Sequence, residues 1–469
     1  MQLPSNNPST SPLDLAEIRS RIAYYLARRD CLSCMRVSHD WFLDFARPVW
    51  HTIDFSKDAT AFSKVSSATI GKYGGFISEV LEITNSKNVQ ALQHAKVDSI
   101  QSLRILFSGD GLYRSMLSDL RRRSHSSIAS LSARCNPPEP NTFGEQCKNA
   151  KYYISVNDVI SPIPTLSDTT LTASKGHGLR TLSLAFVCFT REGFSSMLQY
   201  APALEELRLD RVIVIYHKST VPLYTGSKLR FFSGSFAQAW GHDTGNHGAP
   251  HLLEQFPSLE EWYITSLIRP DTWTTPNPFR INFSACCPLL KVVTFSGKTH
   301  NTDLISDLLM IYFKDLQSCK LSTKNLVLST ALGLIGHLET LTSIVITDKV
   351  QGTQTMSWLY LIPKLCRHLH VFSLESFVVD MESIEDNPWG CKELEELRIQ
   401  FKGLDTSQDI DTCLKEMYRG RRSYAASVLN RTKDKDTVMA RVCQHLLQFK
   451  CLKTVWLGTD VTYLPFSRI

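Results

Sequence analysis

Pro202 to Asp210 reads PALEELRLD, and its leucines Leu204, Leu207 and Leu209 set a pattern that returns along most of the chain. The last two leucines alternate with charged residues, the period of a strand with one buried face. With other apolar residues substituting, the arrangement recurs as Leu179-Leu182-Leu184, Leu259-Trp262-Ile264, Leu290-Val293-Phe295, Leu341-Ile344-Ile346, Leu369-Phe372-Leu374, Leu394-Leu397-Ile399 and Leu452-Val455-Leu457. Weaker copies begin at Leu103, Ile128, Leu229 and Leu316. Counted from Leu103, the first positions advance by 25, 51, 25, 25, 30, 31, 26, 25, 28, 25 and 58 residues. Each of the two longest steps leaves room for one more copy, near Tyr153 and near Tyr424.

A mean period of about 26 residues lies in the range of leucine-rich repeats. Each unit then supplies one short strand, and the rest of the unit supplies a helix over the other side of the core. Phe194-Met197-Leu198 and Leu304-Leu308-Ile311 have helical spacing between successive strands. Pro202, Pro257 and Pro288 each stand two residues before a first leucine and are expected to end those helices. The expectation is an α/β chain in which residues 56–469 form one right-handed solenoid with a parallel sheet on its concave face. Gly234 to Ala249 and Pro276 to Asn282 lengthen their units, and Asp405 to Asp436 is charged and without a clear strand, so irregular segments are expected there.

Ahead of the array, Pro12 to Asp54 reads PLDLAEIRSRIAYYLARRDCLSCMRVSHDWFLDFARPVWHTID. Leu15, Ile18, Ile22 and Leu26 recur at helical spacing, with Asp14 and Glu17 placed as a capping box and Arg28-Arg29 placed to close the last turn. Asp30 is expected to cap a second helix carrying Leu32, Cys34, Met35 and Val37. Ser38 is expected to cap a third, carrying Trp41, Phe42 and Phe45 and stopped by Pro48. So small a unit cannot bury all these side chains within itself, so part of its apolar surface is expected to face something else.

In order, Leu15, Glu17-Ile18, Ile22, Tyr25-Leu26, Asp30, Leu32, Cys34, Val37-Ser38, Trp41 and Val49-Trp50 resemble the F-box, over about a tenth of the chain. The degenerate array behind them resembles the irregular leucine-rich arrays of fungal F-box proteins. The resemblance implies a three-helix domain over 12–55, after a flexible tail over 1–11, that binds the Skp-type adaptor of a cullin–RING (SCF) ubiquitin ligase. It carries Leu15, Ile18, Ile22, Leu32, Val37, Trp41 and Trp50 over as adaptor-binding residues, without separating those that touch the adaptor from those that support them. It also implies that the chain is a substrate receptor and not an enzyme, because the partners of such a ligase carry the chemistry. The alternative is a leucine-rich scaffold unconnected with ubiquitination, whose N-terminal helices only cap the array.

Residues that alternate with the core leucines are expected on the concave face. They are Glu206, Arg208 and Asp210 in one unit, Glu261, Tyr263 and Thr265 in another, Glu396, Arg398 and Gln400 in a third, and Trp456 in the last. Arginines and aromatics in such places suit a protein client. The expected client-binding set is therefore Glu206, Arg208, Asp210, Tyr263, Arg398 and Trp456.

Composition narrows the alternatives. A hydrophobic share of 43% with 10% aromatics is globular. With 51 basic and 45 acidic residues the chain is too balanced to argue for nucleic acid, and Arg121-Arg122-Arg123 and Arg419 to Arg422 read as solvated loops or helix ends. The longest apolar run, Leu326 to Gly336, is about half a membrane span, so no membrane partner is expected. Met1 to Ser11 lacks the pattern of a secretory leader, and the 13 cysteines read as buried thiols of the cytosol or nucleus. Cys31-x-x-Cys34 with His39 lacks a fourth zinc ligand, and His242, Asp243, His247 and His251 sit in a glycine-rich loop. No metal or cofactor is expected. No phosphate cradle of the P-loop kind and no Gly-x-Ser-x-Gly elbow occurs.

Overall fold

The structure is a computed structural model that describes residues 13, 15–94, 100–107, 128–135, 179–185, 188–190, 198, 201–215, 226, 228–235, 252–265, 286–296, 302–322, 328–347, 357–402 and 438–457. The chain divides into two compact units, Met1–Glu206 with Arg211–Ile213, and Leu207–Asp210 with Val214–Ile469.

The first unit opens with helices α1 (Ala16–Tyr25), α2 (Arg28–Cys34) and α3 (His39–His51), and α3 runs directly into strand β1 (Thr52–Asp54). Then come α4 (Phe55–Ser63), α5 (Ser67–Tyr73), β2 (Glu79–Ile83), α6 (Ser86–His94), β3 (Ser102–Phe107), β4 (Ser130–Cys135), β5 (Thr181–Ala185) and the short β6 (Cys188–Thr190). Strands β1 to β5 pair parallel, in chain order.

Beyond β7 (Glu206–Asp210) and β8 (Ile213–Ile215), the second unit carries β9 (Phe231–Gly234), β10 (Glu261–Ile264), β11 (Val292–Ser296), β12 (Ser318–Ser322), β13 (Ser343–Ile346), β14 (Val371–Val379), β15 (Glu396–Phe401) and β16 (Thr454–Leu457). From β9 onward these strands also pair parallel, in chain order. Its helices include α7 (Thr302–Asp307), α8 (Leu328–Ile335), α9 (Leu361–Leu365), α10 (Met381–Asp386) and α11 (Val438–Leu447). The sheet does not close on itself in either unit. An open, parallel α/β array built from repeats is what the period implied.

Alternation explains the strands. Phe232, Trp262, Val293, Cys319, Ile344, Phe372, Leu397 and Val455 stand opposite one another across β9 to β16, and all are buried. Ile264, Phe295, Leu321, Ile346 and Leu374 form a second buried row two residues on. Burying both apolar residues of every strand leaves the intervening ones on the opposite face.

Two features explain the register. Just before each strand, one carbonyl accepts two consecutive amides from the next repeat: Glu260 O takes Lys291 N and Val292 N, and Lys291 O takes Gln317 N and Ser318 N. The same double acceptance recurs at Gln317, Thr342, His370 and Glu395, and in the first unit at Ser78, Gln101, Ala129 and Arg180. The prolines are the second feature. Leu204 N donates to Ala201 O, Leu259 N to Phe256 O and Leu290 N to Cys287 O, so Pro202, Pro257 and Pro288 each sit second in a tight turn that aims the chain into its strand.

Several local expectations are corrected. Leu103 pairs with Val80 and Leu131, so it holds the second position of its copy and Ile100 holds the first. Strand β2 escaped the pattern because its register shifts between Val80 and Ile83, with Glu82 at φ 56°. Helix α1 begins after Leu15, which makes no side-chain cap, and Asp14 lies outside the described residues. Arg28, Arg29 and Asp30 fall in the first turn of α2 instead of closing α1 or capping α2; Ala27 takes the cap position. Pro48 does not stop α3, which continues to His51 because the turn after it buries Val49 and packs Trp50 on the core. The expected copies near Tyr153 and Tyr424, and the helical residues Phe194 and Met197, lie outside the described residues, as do the Arg121 and Arg419 runs and segments 276–282 and 405–436.

Candidate functional site

The three-helix unit has a small core of Ala23, Cys31, Phe45 and Val49, against which Ile22, Leu26, Cys34, Met35, Trp41 and Trp50 pack half-buried. Ser38 caps α3 as its sequence implied, accepting from Trp41 N at 3.3 Å. Trp41 stacks on Phe45 with ring centroids 5.3 Å apart, and Trp50 stacks on Tyr73 of α5 at 5.5 Å. Sequence reasoning missed Arg19, which is buried on α1 beside Ala23. Its Nε donates to Asp44 Oδ2 at 2.6 Å and its Nη1 donates to Leu13 O at 2.9 Å, tying α1 to α3. An arginine between Ile18 and Ile22 looks solvated by spacing alone; only Asp44, twenty-five residues on, gives it a reason to be inside.

The structure sorts the expected adaptor residues. Ile22, Trp41 and Trp50 belong to the packing, and Ile18 is half-buried. Leu15, Leu32 and Val37 are 49%, 46% and 64% exposed. Together with Leu13, Tyr24, Tyr25 and Leu43 they make seven of the thirteen exposed large apolar residues among the described residues, all within 13–43. A soluble surface usually scatters such residues, so their concentration within 13–43 is unusual.

The second expected site lies on the sheet face opposite the core. Tyr263, Thr294, Lys320, Val345, Ser373, Arg398 and Trp456 follow one another across β10 to β16 in register. Arg398 and Trp456 are direct neighbours, with the guanidinium carbon 4.6 Å from the indole centroid and Nε 2.6 Å from Glu396 Oε1. The charge is thus held over an aromatic face and oriented by a carboxylate on its own strand. Tyr263 is five strand spacings away, about 24 Å at the usual spacing, so it shares the row with Arg398 without touching it. Arg208 lies over the Phe231 ring at 5.1 Å. Arg208 and Asp210 are exposed, and Glu206, Glu261, Thr265 and Gln400 are half-buried.

Nothing among the described residues is arranged to hold a metal ion. No group of three His, Cys, Asp or Glu there could hold a metal ion; Cys31 is buried with its Sγ 3.6 Å from Ala23 O, and the His242 to His251 cluster lies outside the described residues. Burial pushes the thiols of Cys287, Cys319, Cys366 and Cys391 up to about 12, far from a reactive thiolate. No described helix is long and apolar enough to cross a membrane. No protein-family model matches this chain, and no curated protein matches it either.

Proposed function

We propose that this protein is a substrate-recognition subunit of an SCF-type cullin–RING ubiquitin ligase. The three-helix unit docks on the Skp-type adaptor, and a right-handed solenoid over residues 56–469 presents a protein client on its concave sheet. The observation that carries the reading is the exposure of Leu15, Leu32 and Val37 in a three-helix unit whose core is already filled. The residue order of that unit resembles the F-box, which supports the adaptor as the partner. The chain then needs no catalytic group, because its contribution is to hold a client near the transferred ubiquitin. Cytosol or nucleus is the compartment where this activity belongs.

The test is a pull-down of purified full-length protein with a Skp-type adaptor. Wild type is expected to bind. Leu15→Ala with Ile18→Ala, and separately Leu32→Asp with Val37→Asp, are expected to lower recovery about tenfold or more, with an unchanged circular dichroism spectrum. No binding by wild type sinks the proposal.

One observation favours a second reading, a repeat scaffold capped by its first helices. Helix α3 passes without a linker into β1, which pairs with β2 at the end of the sheet. A cap needs that continuity, and an adaptor site needs in addition the exposed Leu32 and Val37. The two aspartate substitutions therefore separate the readings, since a pure cap tolerates polar residues at exposed positions.

A further inference from the structure

Between the three-helix unit and α4 and α5 the chain forms a concave feature that shares Leu32 and Trp50 with the residues of the F-box resemblance. Helices α2, α3, α4 and α5 line an open groove of about 900 Å³. Its walls include Leu32, Met35, Phe42, Trp50, Phe62 and Tyr73, and Trp50 and Phe42 are both fixed against the Tyr73 ring, at 5.5 and 5.7 Å. The charged lining residues are Arg28, Arg29, Asp58 and Lys72. Arg28 is committed to Asp58, with Nη1 2.6 Å from Oδ2. Arg29 and Lys72 are exposed and form no ion pair among the described residues; the Lys72 ammonium stands 5.3 Å from the centroid of Tyr73. An apolar groove with two uncompensated cations is complementary to an apolar body bearing one negative charge. Its volume is that of a small-molecule site.

We propose that this groove binds an amphiphilic carboxylate, its apolar body against Leu32, Phe42, Trp50 and Phe62 and its carboxylate held by Arg29 and Lys72. The site stands whether or not the chain binds an adaptor.

Full-length protein without adaptor, titrated calorimetrically with decanoate below its micelle concentration, tests this. One saturable site is expected, with decyltrimethylammonium and decanol binding at least about tenfold more weakly, because a charge-assisted contact is worth about that factor. Arg29→Glu with Lys72→Glu is expected to raise the decanoate Kd about tenfold or more and to leave decanol unchanged. Arg29→Lys with Lys72→Arg is expected to preserve binding, and Ala68→Trp, which fills the groove from α5, is expected to abolish it. The proposal is overturned if the cationic amphiphile binds as well as decanoate, or if the double charge reversal changes nothing in a protein of wild-type circular dichroism. It is also overturned if an acidic amphipathic peptide displaces decanoate at lower concentration than decanoate itself requires, since the groove then belongs to a polypeptide.

Discussion

Arg19 is a buried polar group and His445 a half-buried one, with different consequences. Arg19 is paired, its guanidinium donating to Asp44 and to Leu13 O; such a pair orients helices more than it stabilises them. His445 sits edge-on to Trp389 at 4.8 Å and to Phe449 at 5.2 Å, with Gln448 Nε2 2.6 Å from its Nδ1. Burial pushes its imidazole down to about 4, Lys392 adds to the shift and Glu385 opposes it. The unfolded imidazole titrates near 6.5, so the folded state favours the neutral ring. The stability this gives is present in full above pH ~6.5, falls as pH drops toward 4, and stops falling once the folded ring protonates too. The loss is on the order of 1–3 kcal/mol. Arg441 holds Glu385 low and Lys453 holds Glu395 low, so those carboxylates give up their contribution only in more acid solution. The urea midpoint followed by tryptophan fluorescence is expected to fall between pH 7 and 5, and His445→Gln is expected to flatten that part of the profile. An unchanged slope in the variant would assign the pH dependence elsewhere.

At the scale of elements, what was legible in sequence was what repeats. Leu207 and Leu209 announce a strand because alternation is local, and twelve such copies reinforced one another. Strand β2 was lost because a bulge at Glu82 moves Val80 and Ile83 three apart, and helix ends were misplaced because Asp30 and Pro48 read the same at a terminus and one turn inside it. The candidate site was half legible: Leu15, Leu32 and Val37 were named, but spacing cannot tell them from Ile22, Trp41 and Trp50, because packing between α1, α2 and α3 decides which side faces out. Strand β13 offers a direct test of the alternation. Ile344 and Ile346 are fully buried, whereas Val345 between them lies on the opposite face, half-buried. Ile344→Ala is expected to cost about 2–5 kcal/mol and Val345→Ala about 1 kcal/mol or less, compared by chemical denaturation. Equal costs would mean that the sheet is covered on both faces.

For the molecule as a whole, the proposed client surface is a property of the repeat, since a row such as Tyr263 to Trp456 exists only where successive strands hold register. An in-register row offers a rigid surface in which each side chain is positioned by its neighbour in the next unit. Between Tyr263 and Arg398 the row is made of Thr294 and Ser373, which are buried, Val345, which is half-buried, and the flexible Lys320. Binding energy concentrates in rigid aromatic and arginine anchors, so the two ends are expected to carry capture. Arg398 and Trp456 act there as one group, because the indole positions the guanidinium that lies over it. Arg398→Ala and Trp456→Ala are therefore expected to be non-additive in client recovery, the double variant losing little more than either single one. Tyr263→Ala, about 24 Å away along the row, is expected to add its full effect to Arg398→Ala. The measurement is affinity purification from cells with the proteasome blocked, scoring client against adaptor for each variant. Adaptor recovery is expected to stay constant through the series, because every substituted residue lies in the second unit and the exposed Leu15 and Leu32 lie in the first. Additive losses at Arg398 and Trp456 would show two separate contacts, and unchanged client recovery in the Tyr263→Ala, Arg398→Ala protein would move the client site off this face.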